Sequence, residues 1–242
     1  MQLSVGDHPG PYDRRSRLVA GLILFGISFG YVEAAVVVYL RAIFTPVQRR
    51  LAPDRQPGEL FPLIPADRLR AEAPEAAHLT GIEVLREAAT LAMLAAVALA
   101  STGGKPRWLP ALAITFGTWD LAYYAALKWL TGWPASLGTW DVLFLIPVPW
   151  ASPVLAPVLV SVTIVLCGIV ALWRAVSFGR SHWIGLIAGG LLILSSFVWD
   201  ARALMEGNVP HAFAWPLFSA GELLGLGAFM HGLRASQTRT AL

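Results

Sequence analysis

Six carboxylates set inside apolar sequence are the residues of this chain best suited to chemistry: Glu33, Glu83, Glu87, Asp120, Asp200 and Glu222. An ionisable group in the hydrocarbon region of a bilayer is costly, so acids kept there mark cation, proton or substrate sites. Glu83 and Glu87 are four residues apart, which puts both on one helical face with Thr80 and Thr90. Asp120, Tyr124 and Lys128 form a second polar stripe; Ser196 with Asp200 and Ser219 with Glu222 form two shorter ones. Such oxygen-rich donor sets suit Mg²⁺, Mn²⁺ or Ca²⁺. All six acids are therefore candidate ligands of a divalent metal. Glu87, Asp120, Glu222 and His211 are the candidate catalytic groups. Tyr124 is placed to orient a carboxylate, and Arg86 and Lys128 to hold an anionic headgroup or neutralise the acids.

Asp120 also belongs to a repeat. The tetrapeptide GTWD stands at 117–120, inside an apolar run, and again at 138–141, in a connection rich in Pro and Trp. A third Trp-Asp pair is Trp199-Asp200.

The elements that must position these groups follow from composition. The chain is 56% hydrophobic and 14% charged, against about a quarter charged in ordinary globular domains. Its mean hydropathy is +0.62. With apolar runs of about 20 residues, this defines an all-α integral membrane protein. The pattern predicts a six-span transmembrane helix bundle in one domain, 1–242. The spans fall at about 18–44, 79–101, 108–131, 154–174, 183–204 and 212–234, with an extramembrane loop at 45–77 that carries a short amphipathic helix near 66–73. Residues 1–13 read as disordered or surface-lying. Between spans three and four, Pro147, Pro149 and Pro153 break any helix. That stretch reads as a re-entrant or interfacial segment, with Trp133, Trp140 and Trp150 at headgroup level.

Arg14, Arg15 and Arg17 precede a first run that is too long for a signal peptide and contains Glu33, so it reads as a retained span. With the N-terminus cytoplasmic, the inner side collects Arg14, Arg15, Arg17, Lys105, Arg107, Arg174, Arg180, Arg234 and Arg239. Both termini are then cytoplasmic, and the expected location is a bacterial cytoplasmic (inner) membrane. Glu33, Asp120 and Glu222 then lie roughly 15 Å from the outer ends of their spans, near the midplane. Glu83, Glu87 and Asp200 lie shallower, and Asp141 and His211 fall in outer connections. Gly26 with Gly30, Gly185 with Gly189, and Gly221 with Gly225 are small-residue pairs that let helices approach.

Several functions are excluded. No basic face interleaved with aromatics offers itself to nucleic acid. The single cysteine, Cys167, excludes an intramolecular disulfide and a cysteine metal cluster. No hydrolase or phosphate-loop motif is present. Three uses remain for an outward-opening carboxylate site. The first is cation binding, in the form of a metal-dependent enzyme acting on a lipid or lipid-linked substrate. The second is a proton- or cation-coupled transporter. The third is an accessory subunit of a larger membrane complex. The expected partners are the bilayer, a lipid-linked substrate, and a second copy or other membrane subunits.

Overall fold

A computed structural model describes residues 11–54, 60–61, 63–104, 107–174, 176 and 178–240. The expectations for residues 1–10 and Lys105, and for the side chain of Arg239, lie outside the described residues. The chain is mostly helical, and among the described residues six helices are 18 residues or longer. These are α1 (Pro11–Leu51), α3 (Pro74–Thr102), α4 (Trp108–Thr131), α5 (Leu155–Trp173), α6 (Arg180–Phe197) and α8 (Trp215–Thr240). Two short helices, α2 (Ala66–Glu72) and α7 (Ala201–Met205), join them. Three stretches are long and apolar enough to cross a membrane: Asp13–Leu51, Leu155–Trp173 and Arg180–Met205. Their outward faces carry large apolar side chains, including Leu24, Ile184 and Leu191, each more than half exposed. An apolar outer surface of this kind is suited to lipid contact.

The helices fall into two groups. In the first, α4 packs along both α1 and α5, with α3 alongside. The α1–α4 contact depends on Gly26 and Gly30. A Cβ on Gly30 would lie 2.5 Å from the Trp119 carbonyl oxygen, and one on Gly26 would lie 2.8 Å from Thr118 Cβ. Gly117 and Gly168 allow the same closeness between α4 and α5. The second group is α6 with α8. There a Cβ on Gly189 or on Gly221 would lie 2.7 Å from the other's carbonyl oxygen.

Three boundaries differ from those the sequence suggests. Residues 45–51 extend α1, so the outer loop is shorter than 45–77; Pro46 sits inside the helix. The amphipathic α2 packs Leu69 against Leu51 of α1 and Ala73 and Ala76. The fifth run is not one helix over 183–204: α6 stops at Phe197, and Asp200 lies in the break before α7. At the C-terminus, α8 starts at Trp215 and continues past 234 to Thr240, in place of a polar tail.

The proline-broken segment is an antiparallel β-hairpin, β1 (Trp140–Phe144) and β2 (Trp150–Pro153), with Asp141 opposite Ser152. It is the only strand pair among the described residues. Prolines prevent a helix, and pairing two strands satisfies backbone groups that would otherwise be stranded in an apolar setting. Val154 and Leu155 then bond back to Thr139 and Leu137, tying the hairpin to the start of α5. Trp140, Leu143 and Trp150 pack onto Ala156, Phe197, Phe213 and Phe218, so the hairpin bridges the two helix groups.

Candidate functional site

The hairpin roofs a cavity of about 130 Å³. Each of α1, α3, α4 and α5 contributes polar groups, α3 and α4 through their polar stripes and α1 and α5 through one residue each. From α1 comes Glu33, one turn beyond Gly30. From α3 come Glu83, Arg86, Glu87 and Thr90. From α4 come Asp120, Tyr123 and Tyr124, from β1 Asp141, and from α5 Ser161. Phe116, Trp119, Phe144, Trp150 and Phe197 complete the wall.

The acids are buried. Glu33, Glu87, Asp120 and Asp141 are each no more than 9% exposed. A buried carboxylate needs hydrogen-bond donors, and each has found its own. Arg86 bonds Glu33 through Nη1 and Glu83 through Nε (2.8 Å) and Nη2. Thr90 Oγ1 donates to Glu33 Oε1 at 2.8 Å. The Leu145 amide, from the hairpin, donates to Glu87 Oε2 at 2.9 Å. Ser161 Oγ donates to Asp120 Oδ2 at 2.8 Å, and the Tyr124 hydroxyl to Asp141 Oδ2 at 2.9 Å. Burial pushes the Asp141 carboxyl up to about 6, against the opposing pull of the Tyr124 hydrogen bond and of nearby Arg41. The indole N–H groups of Trp119 and Trp150 are buried and have no hydrogen-bond partner among the described residues.

Of the acids singled out by spacing, Glu33, Glu83, Glu87 and Asp120 come together here. Asp200, Glu222 and His211 lie apart. Asp200 accepts the His211 backbone N–H at 2.8 Å, with the imidazole Nδ1 3.4 Å from its other oxygen. Glu222 stands on α8 against Thr163 of α5, with one buried carboxylate oxygen that has no hydrogen-bond partner among the described residues. Lys128 does not reach Asp120; it caps the carbonyls of Gly132 and Pro134. Arg86 finds Glu33 on α1 as well as Glu83 on its own helix. Among the described residues, no three His, Cys, Asp or Glu side chains converge closely enough to hold a metal ion between them.

Asp141 and Ser161 are cavity residues that helical spacing did not reveal. The signal for Asp141 was the repeat itself. Both copies of GTWD deliver their aspartate to the same cavity, one from α4 and one from β1. Reading the second copy as an outer connection hid this, because the hairpin folds back over the helices. Ser161, on a uniformly apolar helix, gave no such signal.

The arrangement defines a class: a helical protein with candidate membrane spans that encloses an acidic, aromatic-walled cavity under a β-hairpin. Compared with known proteins, the sequence matches no family model and no curated protein, and the fold matches no solved structure.

Proposed function

We propose that this chain crosses the membrane six times and that its carboxylate cavity binds a cation. What supports six spans is length and packing. α3, α4 and α8 are 29, 24 and 26 residues long, enough at 1.5 Å per residue to cross about 30 Å of hydrocarbon. α3 and α4 also lie beside the apolar α1, and α8 lies beside α6. In a bacterial cytoplasmic membrane, the arginine placement would put both termini inside and the hairpin outside. Cysteine labels at Leu60 and Asn208 should then react from outside and one at Gly104 from inside. The reverse pattern would turn the molecule over.

The observation that carries cation binding is the charge balance of the cavity. Five acids, Glu33, Glu83, Glu87, Asp120 and Asp141, line it with one guanidinium, Arg86. One guanidinium among five acids, four of them buried, leaves an excess that protons or a bound cation must balance. Asp120 Oδ1 and Glu87 Oε1 accept no hydrogen bond from the described residues, so each acid keeps an oxygen for an occupant. The aromatic walls are compatible with a cation as well.

Coupled transport of a proton or cation is the use this geometry favours over metal-assisted chemistry on a lipid-linked substrate. Arg86 already bridges Glu33 and Glu83, so loading a cation onto either acid releases the guanidinium toward the other. A network that exchanges partners suits a carrier. A divalent-metal enzyme would draw on the same Glu87 and Asp120 oxygens, and an accessory-subunit role would leave purified protein indifferent to cations.

The test is metal content by mass spectrometry on detergent-purified protein, with thermal stability titrated against Na⁺, Mg²⁺, Mn²⁺ and Ca²⁺ and across pH. The folded Glu87→Gln/Asp120→Asn variant is run in parallel. A saturable stabilisation by one cation or by protons that the variant loses is the expected result. No saturable response, or one the variant keeps, overturns the reading.

A further inference from the structure

A second, more spacious cavity lies among the described residues at the end opposite the hairpin. It is a crevice of about 890 Å³ between the α4–α5 face and the α6–α8 pair, within the roughly 300–1,000 Å³ of sites that hold sizeable ligands. It exists because each helix group is tightly packed within itself while α5 touches α8 only sparsely. Its walls are apolar, with Leu109, Ile164, Leu186 and Phe229 facing one another. Its mouth is basic: Arg15 from α1 and Arg107 from the turn before α4 both line it, and no carboxylate does. Arg15 gives one N–H of its five to the Trp173 carbonyl at 2.8 Å, which anchors the guanidinium at the rim. The acid closest in sequence, Asp13, is engaged by Arg17 at 2.9 Å.

We infer that this crevice is a binding site for one anionic phospholipid, its acyl chain between the helix groups and its phosphate on Arg15 and Arg107. Apolar walls alone would take any lipid tail. The paired guanidiniums at the mouth, unopposed by acid, select a headgroup with net negative charge. Basic pockets between helices at a membrane surface recognise anionic headgroups by the same chemistry. The inference rests on membrane insertion and is independent of what the carboxylate cavity binds, so either can fail alone.

The experiment is native mass spectrometry of the full chain released from phosphatidylglycerol or phosphatidylcholine nanodiscs, and from equal mixtures. The wild type should retain one phosphatidylglycerol about 25-fold in preference to phosphatidylcholine, at about fivefold for each of the two arginines. Arg15→Gln/Arg107→Gln should bring that ratio close to one. The Arg15→Lys/Arg107→Lys variant should keep most of the preference, and Ala171→Phe, which narrows the crevice, should lower retention of both lipids. Equal retention of the two lipids by the wild type would overturn the inference without reference to any variant. So would a preference that survives loss of both arginines.

Discussion

Two cavities of this protein, the carboxylate cavity and the arginine-rimmed crevice, lie at opposite ends of the same helices and are built from opposite charges. At the hairpin end, five acids surround one arginine, and each buried carboxylate is held by a particular donor: Arg86, Thr90, Ser161, Tyr124 or the Leu145 amide. At the other end, arginines stand at an open rim over apolar walls. The difference teaches where charge is structural as well as functional. A buried acid must be satisfied within the fold, so removing its partner disturbs folding. A rim arginine is satisfied by solvent or by an incoming headgroup, so its removal is felt mainly in binding.

Matched substitutions at the two ends sharpen this contrast. Arg86→Gln should have the largest effect. It leaves Glu33 and Glu83 without their cation, and breaking a buried pair costs about 3–5 kcal/mol. Thermal unfolding in detergent checks it, and adding Glu33→Gln should restore part of the loss. No destabilisation by Arg86→Gln would show that the network is not structural. Gly30→Ala comes next, at about 1–3 kcal/mol, because the new methyl meets the Trp119 backbone. It should also weaken the cavity, since Glu33 rides on the same face of α1. Tyr124→Phe should cost about 1 kcal/mol by removing the hydroxyl bonded to Asp141.

Asp141 supplies a test by pH. Its carboxyl titrates higher in the folded protein, about 6, than the ordinary value of 3.8. The native state therefore holds this proton more tightly than the unfolded chain. Its contribution to stability is full below about pH 4 and is lost as pH rises through about 6. Asp141→Asn should flatten that part of the stability profile; an unchanged slope would assign it to another group. The smallest effect belongs to the far end. Arg107→Gln should shift stability by less than about 0.5 kcal/mol, although it removes the same kind of charge as Arg86→Gln.

Much of this contrast was legible in the sequence. Acids toward one end and arginines toward the other follow from the positions of Glu33, Glu83, Glu87 and Asp120 against Arg15 and Arg107, once the helices alternate in direction. Period 3.6 also identified the α3 stripe, which the cavity uses nearly whole. What was not legible depended on contacts across the fold. Asp200 and Asp120 read alike, as acids inside apolar runs, yet Asp200 lies in the break between α6 and α7 and holds His211. Three prolines announced that 142–153 is not helical, but a hairpin needs two strands to find each other, and neither strand alone carries that information. Arg86 was legible as a group able to neutralise the acids, but its reach across to Glu33 on α1 was not.

The glycine contacts have a mechanical consequence. Gly26, Gly30, Gly117 and Gly168 bring α1, α4 and α5 to backbone contact, and Gly189 with Gly221 does the same for α6 and α8. Backbones this close interlock like two stiff plates, and the compliance lies in the sparse seam between them. Phe197 of the second plate lines the carboxylate cavity, and Leu186 and Phe229 of the same plate line the arginine-rimmed crevice. Any rocking at that seam would therefore reach both chambers in one movement.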